Sequence, residues 1–216
     1  MISGKKITKS YGKLKVLKGI DIEIEKEEIV TLIGASGAGK TTLLHILGTL
    51  DKPDSGKIII DNQDISKLSD NELAHFRNQN IGFVFQFHHL LPEFTAAENV
   101  CLPALIGGKS KKEAIKEAIQ LLDILQIKDR SEHKPATLSG GEQQRVAVAR
   151  ALINHPTVVF ADEPSGNLDS ENALILHQLF ISLRDALHQT FVITTHNPDL
   201  VNLADRVLKI KDGIII

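Results

Sequence analysis

The fold class is decided by one stretch of the chain, Ile29-Val30-Thr31-Leu32-Ile33-Gly34-Ala35-Ser36-Gly37-Ala38-Gly39-Lys40-Thr41. Its first five residues are apolar or β-branched and predict a buried strand, and a helical pattern begins after Gly39. The loop from Gly34 to Thr41 matches the pattern G-x-x-x-x-G-K-[ST] in full. Its glycines let the backbone curl so that N–H groups point inward at a phosphate, and the dipole of the following helix adds to that attraction. The stretch therefore predicts a phosphate-binding strand–loop–helix unit.

Two side chains of this loop have specific predicted roles. The ammonium group of Lys40 is expected to reach the β- and γ-phosphates of a nucleotide, and the hydroxyl of Thr41 is expected to bind Mg²⁺. The other residues expected to contact the nucleotide here are Gly34, Ala35, Ser36, Gly37, Ala38, Gly39 and Thr42. A flexible glycine-rich turn is the alternative interpretation, and the full match between a strand and a helix argues against it.

Composition limits the class of protein. The chain has 216 residues, a formal net charge of −2 and a pI of about 6.5, so no overall positive field recruits nucleic acid or an anionic membrane surface. Its single cysteine, Cys101, cannot form an internal disulfide. The N-terminus lacks the apolar core of a secretory signal, and no apolar run approaches the roughly 18 residues needed to cross a bilayer. We expect a cytoplasmic protein that binds no nucleic acid and does not itself insert into a membrane.

The order of the predicted strands and helices indicates an α/β fold. Strand-like apolar runs lie at Ile29–Ile33, Ile58–Ile60, Ile81–Phe85, Val158–Ala161, Phe191–Thr195 and Val207–Ile210. Helical patterns follow Gly39 and cover Lys111–Leu125, Gly140–Ile153 and Glu171–Leu187. This alternation predicts a mainly parallel core sheet that is covered on both faces.

Two parts of the chain depart from this alternation. In Lys15–Lys26 apolar residues alternate with charged ones, which predicts an N-terminal antiparallel β-subdomain with one exposed face. The segment from about residue 87 to residue 155 has helical periodicity interrupted by prolines. We predict that this segment is a helical subdomain, ending in the helix that begins at Gly140, inserted into a single domain of residues 1–216.

Four candidate functional segments begin where four of the predicted strands end. Gly34, Gln86, Asp162 and His196 each come directly after an apolar strand. Ligands bind at the carboxyl ends of the strands in an open α/β sheet. We therefore expect these four segments to converge on one crevice.

The acidic pair Asp162-Glu163 is the second predicted part of the site. An acid at a strand end can hold Mg²⁺ directly or through water, and the acid after it can orient or deprotonate an attacking water. The alternative is that the two acids form a helix cap or a turn. Pro164 weakens that alternative, because the residue before a proline is disfavoured in the α region.

A second anion-binding helix start is predicted at Leu138-Ser139-Gly140-Gly141-Glu142-Gln143. Ser139 is a good N-cap, and the two glycines allow close approach by an anionic group. A plain capping motif explains the same residues and stays open as an alternative.

Together these motifs resemble those of the ATP-binding-cassette (ABC) ATPases, a family with the P-loop NTPase fold. The resemblance rests on the P-loop, Gln86, the signature Leu-Ser-Gly-Gly-Glu, Asp162-Glu163, the run Ser165-Gly166-Asn167-Leu168-Asp169, and His196. It implies that ATP and Mg²⁺ are the ligands and that Tyr11 stacks on adenine. It further implies that Gln86 contacts Mg²⁺ and the attacking water, and that His196 touches the γ-phosphate.

The same resemblance implies a homodimer in the ATP-bound state. Two cassettes of this family sandwich two ATP molecules head to tail, so that the signature of one chain contacts the γ-phosphate held by Lys40 of the other. The residues assigned to this second contact are Ser139, Gly140, Gly141 and Glu142. Asp169 belongs to the loop that contacts the opposite subunit.

A narrower resemblance links Gln86–Thr95 and Glu98-Asn99-Val100 to the ATPases of bacterial lipoprotein-releasing systems. The run from Asp162 to Asp169 fits the wider group that includes macrolide exporters and the cell-division cassette, in which threonine is more usual at Ser165. The resemblance implies that the stretch after Gln86 docks a short cytoplasmic helix of a membrane partner. The apolar contacts are assigned to Phe87, Leu90, Leu91 and Phe94. The alternative is that these four are core residues.

The implied activity is that of a transport-coupled ATPase of the translocase class, peripheral at the cytoplasmic face of the bacterial inner membrane. Its implied partners are integral permease subunits of the LolC/LolE kind, and its implied process is the release of lipoproteins toward the outer membrane. The rivals are the ATPase of a macrolide-type exporter or of the cell-division complex. Two alternatives belong to other functional classes. A soluble ABC ATPase of the DNA-repair type would carry a coiled coil between Lys40 and Ser139, and this stretch has no sustained heptads. A non-hydrolysing cassette would not need Glu163 and His196, which are both present.

Overall fold

The structure, a computed structural model, describes all 216 residues of the chain. The strands are β1 (Ile2–Tyr11), β2 (Leu14–Ile24), β3 (Ile29–Ile33), β4 (Ser55–Ile60), β5 (Gln63–Asp64), β6 (Ile81–Phe85), β7 (Val158–Asp162), β8 (Thr190–Thr194), β9 (Arg206–Lys211) and β10 (Ile214–Ile215). The α-helices are α1 (Lys40–Leu47), α2 (Asp70–Asn80), α3 (Ala96–Ile106), α4 (Lys111–Ile124), α5 (Gly140–Leu152), α6 (Ser170–Leu187) and α7 (Pro198–Leu203). Short 3-10 turns cover Ile65–Lys67, Lys128–Arg130 and Pro135–Thr137.

The larger sheet contains six strands in the order β10-β9-β3-β8-β7-β6. Strand β3 pairs in parallel with β8 and β9, and β7 pairs in parallel with β6 and β8. Only the edge strand β10 runs antiparallel to its neighbour. The predicted mainly parallel core sheet is confirmed.

The smaller sheet is antiparallel and has the order β2-β1-β4-β5. Its strand β2 contains most of the alternating stretch Lys15–Lys26, so the predicted N-terminal antiparallel subdomain is confirmed. The run Ile58–Ile60, which resembles the core strands in sequence, lies in this sheet instead. Ile58 and Ile60 are buried and Ile59 is only half-buried, which is the alternation of a strand with one face toward the core.

Alternate residues of the core strands enter two separate apolar clusters. On β7, Val158 and Phe160 join the cluster formed with α1, α2 and the antiparallel sheet. Val159 and Ala161 join the cluster formed with α3, α4, α5 and α6. Successive side chains of a strand point to opposite faces of its sheet, so an unbroken apolar strand is stable only where both faces are covered. The predicted cover on both faces is confirmed.

Four helices begin with a capping box, in which a serine or threonine and a glutamate three residues later exchange hydrogen bonds with the backbone. The pairs are Ser69 with Glu72, Thr95 with Glu98, Ser110 with Glu113, and Ser139 with Glu142. The apolar periodicity located α4, α5 and α6, whereas α2 was not predicted and its sequence signal is the Ser69 cap. No helix combines the length and the apolarity that a membrane span requires.

Candidate nucleotide-binding site

The carboxyl ends of four neighbouring parallel strands, β3, β8, β7 and β6, lie at one edge of the larger sheet. The segments that follow these ends begin with Gly34, Thr195 and Gln86, while Asp162 is itself the last residue of β7. Hydrogen bonds from side chains connect these segments to one another. Two of the other predicted segments, the P-loop helix and His196, contact Asp162 or Glu163 directly, and the fourth, Gln86, contacts Asn167 in the loop that follows them.

Two glycines of the P-loop, Gly34 and Gly39, combine a positive φ with a close approach by a neighbouring strand. Gly34 has φ of 154°, and a Cβ at this position would lie 2.2 Å from the carbonyl oxygen of Ile210 on β9. Gly39 has φ of 105°, in the left-handed region, and its Cβ would lie 2.8 Å from the side chain of Leu17. The loop is therefore pressed between β9 and the antiparallel sheet, and larger residues at these positions would displace it.

The start of α1 is open to an anion. Its N-cap is Gly39, which has no side chain to cap the first turn, whereas α2 through α6 all have a side-chain cap. The first backbone N–H groups of α1 are consequently free of side-chain acceptors. The buried Lys40 directs its Nζ back into the loop, where it donates to the carbonyl oxygens of Gly34 at 2.9 Å and Ala35 at 3.2 Å. Ala35, Ser36 and Gly37 are exposed.

Asp162 is joined to the P-loop helix and to β8. The exposed hydroxyl of Thr41 donates to Oδ1 of Asp162 at 3.0 Å, and the buried hydroxyl of Thr194 donates to the same oxygen at 2.5 Å. On its other side, Oδ2 of Asp162 lies 3.8 Å from Nε2 of His45. Thr41 and Asp162 thus present adjacent hydroxyl and carboxylate oxygens, the donor types that Mg²⁺ prefers.

Glu163 has an unusual backbone conformation, with φ of 46°, directly before Pro164. Two hydrogen bonds hold it there, because its N–H donates to the carbonyl oxygen of Thr194 at 3.1 Å and to the hydroxyl of Thr194 at 3.0 Å. Left-handed conformations of this kind cost on the order of 1–3 kcal/mol and are concentrated at functional sites. Glu163 also begins a turn closed by Gly166, so the turn considered as an alternative in the sequence is present beside the acidic pair.

The carboxylate of Glu163 faces His196. Oε2 accepts a hydrogen bond from the backbone N–H of His196 at 3.2 Å. Oε1 lies 3.1 Å from Nε2 of the His196 ring, but the contact lacks hydrogen-bond geometry and this buried oxygen has no hydrogen-bond partner. An unpaired buried carboxylate oxygen is a ready acceptor for a proton or a water.

Gln86 and Asn167 form a reciprocal pair. The Gln86 side-chain amide donates to Oδ1 of Asn167 at 2.9 Å, and the Asn167 side-chain amide donates to the backbone carbonyl oxygen of Gln86 at 3.1 Å. A Cβ on Gly166 would lie 2.9 Å from Nε2 of Gln86, so this glycine leaves room for the pair. The strand-end glutamine is thereby attached to the loop that precedes α6.

Tyr11 lies at the end of β1 with 51% of its surface exposed. Its hydroxyl donates to Asp51 at 2.6 Å, and the half-buried Thr42 lies near enough to the phenol to affect its pKa. Tyr11 is therefore half exposed at a position close to the first turn of α1.

The signature residues form a capping box at the start of α5 instead of contacting the P-loop of their own chain. Ser139 and Glu142 exchange hydrogen bonds, and Nε of Arg130 donates to Glu142 at 2.8 Å. The Arg130 hydrogen bond, together with the Ser139 backbone, lowers the pKa of Glu142 from 4.5 to about 2. Ser139 and Gly140 remain exposed. The capping interpretation therefore holds, and it leaves the helix start accessible.

The signature helix instead lies against the start of α6. A Cβ on Gly140 would lie 3.7 Å from Leu168, and one on Gly141 would lie 2.4 Å from the side chain of Asn172. Asp169 is the N-cap of α6 and accepts from the backbone of Asn172 at 2.8 Å. The start of the signature helix and the loop that ends at Asp169 therefore lie next to each other.

The four apolar residues after Gln86 divide into two kinds. Phe87, Leu91 and Phe94 are 66%, 42% and 37% exposed, whereas Leu90 is partly buried and packs against the larger apolar cluster. We call the three exposed residues Phe87, Leu91 and Phe94 the docking surface.

Two buried polar side chains hold the loop that carries the docking surface. Asn99 is fully buried and makes hydrogen bonds with the backbone of Leu91, Phe94 and Thr95 at 2.7–3.1 Å. Arg150 on α5 donates to the carbonyl oxygens of His88 and His89, both at 2.7 Å, and burial lowers the pKa of Arg150. The loop is therefore fixed to two helices of the segment predicted as a subdomain.

Several supporting residues were not singled out by the sequence reasoning. The main ones are Thr194, Asn167, Asn99, Arg150, Arg130, Asp51 and Lys9. Asn167 stands inside a quoted motif, and Asn99 directly follows the Thr95–Glu98 capping box, so both had a local signal. The others are defined by partners far away in the chain.

Known proteins resemble this chain over its whole length. The family described as ABC transporter matches residues 17–166. The lipoprotein-releasing system ATP-binding protein LolD of Bacteroides thetaiotaomicron is 60% identical over 215 residues, covering 100% of this chain and 99% of that protein. The protein of the same name from Cytophaga hutchinsonii is 60% identical, with coverages of 97% and 96%. A solved dimer of the ATP-binding cassette MJ0796, in a post-hydrolysis state with ADP and Pi, matches with a TM-score of 0.90 at 39% identity, covering 100% and 96% of the two chains.

Proposed function

Because the chain belongs to the ABC transporter family, we propose that it is the ATP-hydrolysing subunit of a transporter that releases lipoproteins from the inner membrane toward the outer membrane. The full-length similarity to LolD proteins supports the lipoprotein-releasing process. The single observation that carries the ATPase function is the meeting of the P-loop, Asp162, Glu163 and His196 at one sheet edge.

ATP binding begins at the uncapped start of α1. The free N–H groups of its first turn and the positive end of its dipole attract the phosphates. Lys40 now donates to two neutral carbonyl oxygens of the loop. Charged phosphate oxygens are stronger acceptors than neutral carbonyl oxygens, so we expect the lysine to transfer its hydrogen bonds to the β- and γ-phosphates when ATP binds.

Thr41 and Asp162 fit a magnesium site. Their oxygens are adjacent, and a site with one carboxylate suits Mg²⁺, which retains water and phosphate oxygens as its other ligands. We assign the side-chain amide oxygen of Gln86 to the magnesium site as its third protein group, beside Thr41 and Asp162. When bound, Mg²⁺ neutralises phosphate charge. The chain contributes the fixed orientation of Asp162, which Thr194 holds from β8.

Glu163 and His196 act at the γ-phosphate end of the site. We assign to Glu163 the orientation of the attacking water and the acceptance of its proton, since Oε1 is buried and unpaired. The two hydrogen bonds to Thr194 keep the strained backbone of Glu163 in place, so that the carboxylate is positioned before ATP arrives. His196 is exposed and carries a ring N–H donor for a γ-phosphate oxygen.

The ATP-bound state is proposed to be a homodimer. Ser139 and Gly140 expose a helix start that contacts no phosphate site in its own chain, and a second phosphate-binding helix start is useful only to a nucleotide held elsewhere. The similar cassette MJ0796 is described as dimeric with ADP and Pi. In the proposed dimer, Ser139–Glu142 of each chain covers the γ-phosphate bound at Lys40 of the other.

The docking surface is the proposed contact with an integral permease of the LolC/LolE kind. Three exposed apolar side chains on a loop fixed by Asn99 and Arg150 form a rigid apolar patch, which is a feature of protein-binding sites. Gln86 directly precedes Phe87, the first residue of this patch. We therefore expect a displacement of the docking surface to shift Gln86, and the reverse. The proposed contact with a permease implies a peripheral location at the cytoplasmic face of the inner membrane.

Depletion of the chain in its host bacterium tests the transported class. We expect lipoproteins to accumulate in the inner membrane of the depleted cells. The wild-type gene should restore their transfer to the outer membrane, whereas a gene encoding Lys40→Ala should not. The permease chains copurified with the wild-type protein should contain large periplasmic domains. Drug sensitivity alone would favour an exporter, and filamentous cells with normal lipoprotein transfer would favour a cell-division role. Either result would contradict lipoprotein release while leaving ATP hydrolysis intact.

A further inference from the structure

A partly buried ion pair lies beside the tyrosine assigned to the nucleobase. Nζ of Lys9 donates to Oδ1 of Asp51 at 2.6 Å, and the hydroxyl of Tyr11 donates to Oδ2 of Asp51 at 2.6 Å. Nζ of Lys9 also lies over the Tyr11 ring, 5.2 Å from its centroid. We call these three residues, Lys9, Asp51 and Tyr11, the tyrosine tether.

The position of Lys9 calls for an explanation, because burying a charge is unfavourable unless it is well paired. Only 9% of Lys9 is exposed, and its ammonium also donates to the carbonyl oxygen of Lys52 at 2.6 Å. None of the steps assigned above to the phosphate end of the site uses this ammonium. All of its contacts are made with Tyr11, with Asp51 and with the backbone next to Asp51.

Both oxygens of Asp51 are occupied. Oδ1 accepts from Lys9 and from the backbone N–H of Lys52, and Oδ2 accepts from Tyr11. Burial alone would raise the pKa of Asp51, but the hydrogen bonds from Lys9 and Tyr11 lower it overall. The hydrogen bond to Asp51 raises the pKa of Lys9 and also the pKa of Tyr11. The Asp51 carboxylate therefore stays ionised. Because both of its oxygens are already occupied, it holds Lys9 and Tyr11 in place and does not itself bind the nucleobase.

Asp51 connects the tether to the phosphate-binding helix. The N–H groups of Leu50 and Asp51 donate to the carbonyl oxygen of His45, in the last turn of α1, at 2.8 and 3.3 Å. Lys9 and Tyr11, two residues apart on β1, both reach Asp51 and therefore lie on the same side of the strand. The tether thus joins the exposed Tyr11 ring to the same helix whose first turn forms the phosphate site.

We propose that Lys9 and Asp51 are positioning residues that hold the Tyr11 ring at a fixed distance from the P-loop, so that a nucleobase stacks on the open face of the ring while its phosphates reach α1. The proposal rests on the nucleotide-binding function proposed above. A ring that is fixed before binding does not lose rotational freedom when the base stacks on it. The tether therefore raises affinity for the base portion of a nucleotide and leaves affinity for the phosphates unchanged.

The test compares two ligands that differ in whether they carry a base. Binding of ADP and of inorganic tripolyphosphate, both with Mg²⁺, is measured by calorimetry for the wild type, Tyr11→Phe, Lys9→Met and Asp51→Asn. We expect ADP affinity to fall about three- to tenfold in each variant, as for the release of one immobilised side chain, while tripolyphosphate affinity changes less than about twofold. Tyr11→Phe keeps the ring and removes only the hydroxyl, so it is the variant least able to disturb the fold.

The neighbouring ion pair between Lys52 and Asp70 provides a matched control. It has the same 2.6 Å length but is largely exposed, and its acidic member Asp70 makes no hydrogen bond with Lys9, Asp51 or Tyr11. Asp70→Asn should leave the affinities for both ligands unchanged. A thermal unfolding curve for each variant verifies that the fold is retained.

Three outcomes overturn the tether. These are an equal loss of affinity for both ligands, an unchanged ADP affinity in Tyr11→Phe and Asp51→Asn, or an effect of Asp51→Asn that persists in a Tyr11→Ala background. In each of these cases Lys40→Ala still abolishes ADP binding, and the proposed nucleotide-binding function stands. Wild-type ADP affinity in Lys40→Ala contradicts that function itself, and the tether with it.

Discussion

The side chain of Gln86 donates a hydrogen bond to Oδ1 of Asn167 at 2.9 Å, and the Asn167 side chain donates back to the backbone carbonyl oxygen of Gln86 at 3.1 Å. The first hydrogen bond engages the amide nitrogen of Gln86 and so leaves its amide oxygen as the acceptor for other ligands. Asn167 lies two residues before Asp169, on the surface shared with the signature helix. One pair of side chains thus connects the start of the docking loop with the surface assigned to the second subunit.

Asn167→Ala should weaken magnesium-dependent nucleotide binding. Without its partner the Gln86 amide can rotate, so its oxygen is no longer held toward the cation. Loss of such an orienting partner lowers metal affinity by about tenfold or more. Titrating Mg²⁺ into a fixed concentration of a non-hydrolysable ATP analogue measures the effect on binding without turnover. The exposed Asn71→Ala is the control, and an unchanged magnesium requirement in Asn167→Ala would show that the pair has no orienting role.

Lys40→Ala should abolish measurable ATP binding or turnover. The variant removes the only side-chain ammonium that donates into the P-loop, while the loop backbone stays in place. Fluorescent nucleotide binding and phosphate release measure the two properties. Lys52→Ala, on an exposed side chain, serves as the control. Hydrolysis at the wild-type rate by Lys40→Ala would eliminate the P-loop assignment.

Glu163→Gln should bind ATP normally and hydrolyse it about 10²–10⁴-fold more slowly, which is the usual contribution of a general base. The amide keeps the size of the side chain and its acceptor for the His196 N–H, but it cannot take a proton from water. Unhydrolysed ATP should then trap the dimer, as light scattering with ATP can measure. The exposed Glu171→Gln is a suitable control. A Glu163→Gln protein that remains monomeric with saturating ATP would argue against the sandwich mechanism.

Leu91→Asp should separate the ATPase from its membrane partner without unfolding it. Leu91 is 42% exposed, so a carboxylate at this position remains hydrated in the free protein and is buried only when a partner docks. Nucleotide binding should be unchanged, while copurification of the permease should be lost.

The adjacent Leu90 is the matched contrast. It packs against the core, and Leu90→Asp should lower the free energy of unfolding by about 2–4 kcal/mol. Denaturant unfolding of both variants makes the comparison. Equal destabilisation by the two changes would mean that Leu91 is a core residue and would remove it from the docking surface.

Arg130→Met should lower stability at neutral pH and have less effect in acid. Arg130, with the Ser139 backbone, lowers the pKa of Glu142 from 4.5 to about 2 in the folded chain. A depressed carboxyl pKa means that ionised Glu142 stabilises the fold above pH 4.5, and that this stabilisation is lost as the pH falls from 4.5 to about 2. Arg130→Met should therefore unfold at a lower urea concentration than the wild type at pH 7, by a small margin because Arg130 is exposed to solvent.

Urea unfolding of the wild type and Arg130→Met at several pH values measures this dependence. The gap between the two proteins should shrink as the pH falls through that window. In a Glu142→Gln background, which preserves the capping box, Arg130→Met should have almost no effect. A gap that is independent of pH would show that Arg130 stabilises the chain through packing alone.

Much of the fold and of the phosphate site could be predicted from local patterns. The P-loop is specified by glycines that the backbone geometry requires, as the close approaches at Gly34 and Gly39 show. The buried strands are apolar on both faces because both faces are covered. The helix start at Ser139 follows from its spacing to Glu142. Each of these signals lies within a few residues, where backbone conformation and side-chain period are determined.

Only the tertiary structure determined which side chains that are distant in the sequence contact each other. Thr194 holds Asp162 because β8 lies between β3 and β7, and that strand order has no local signature. Lys9 meets Asp51 across 42 positions because β1 passes beside the end of α1. The exposure of Leu91 and the burial of Leu90 depend on how Asn99 holds their loop, since both are leucines in the same run. Local sequence therefore determined the phosphate loop of this protein, and long-range packing determined what holds its catalytic and base-binding side chains in place.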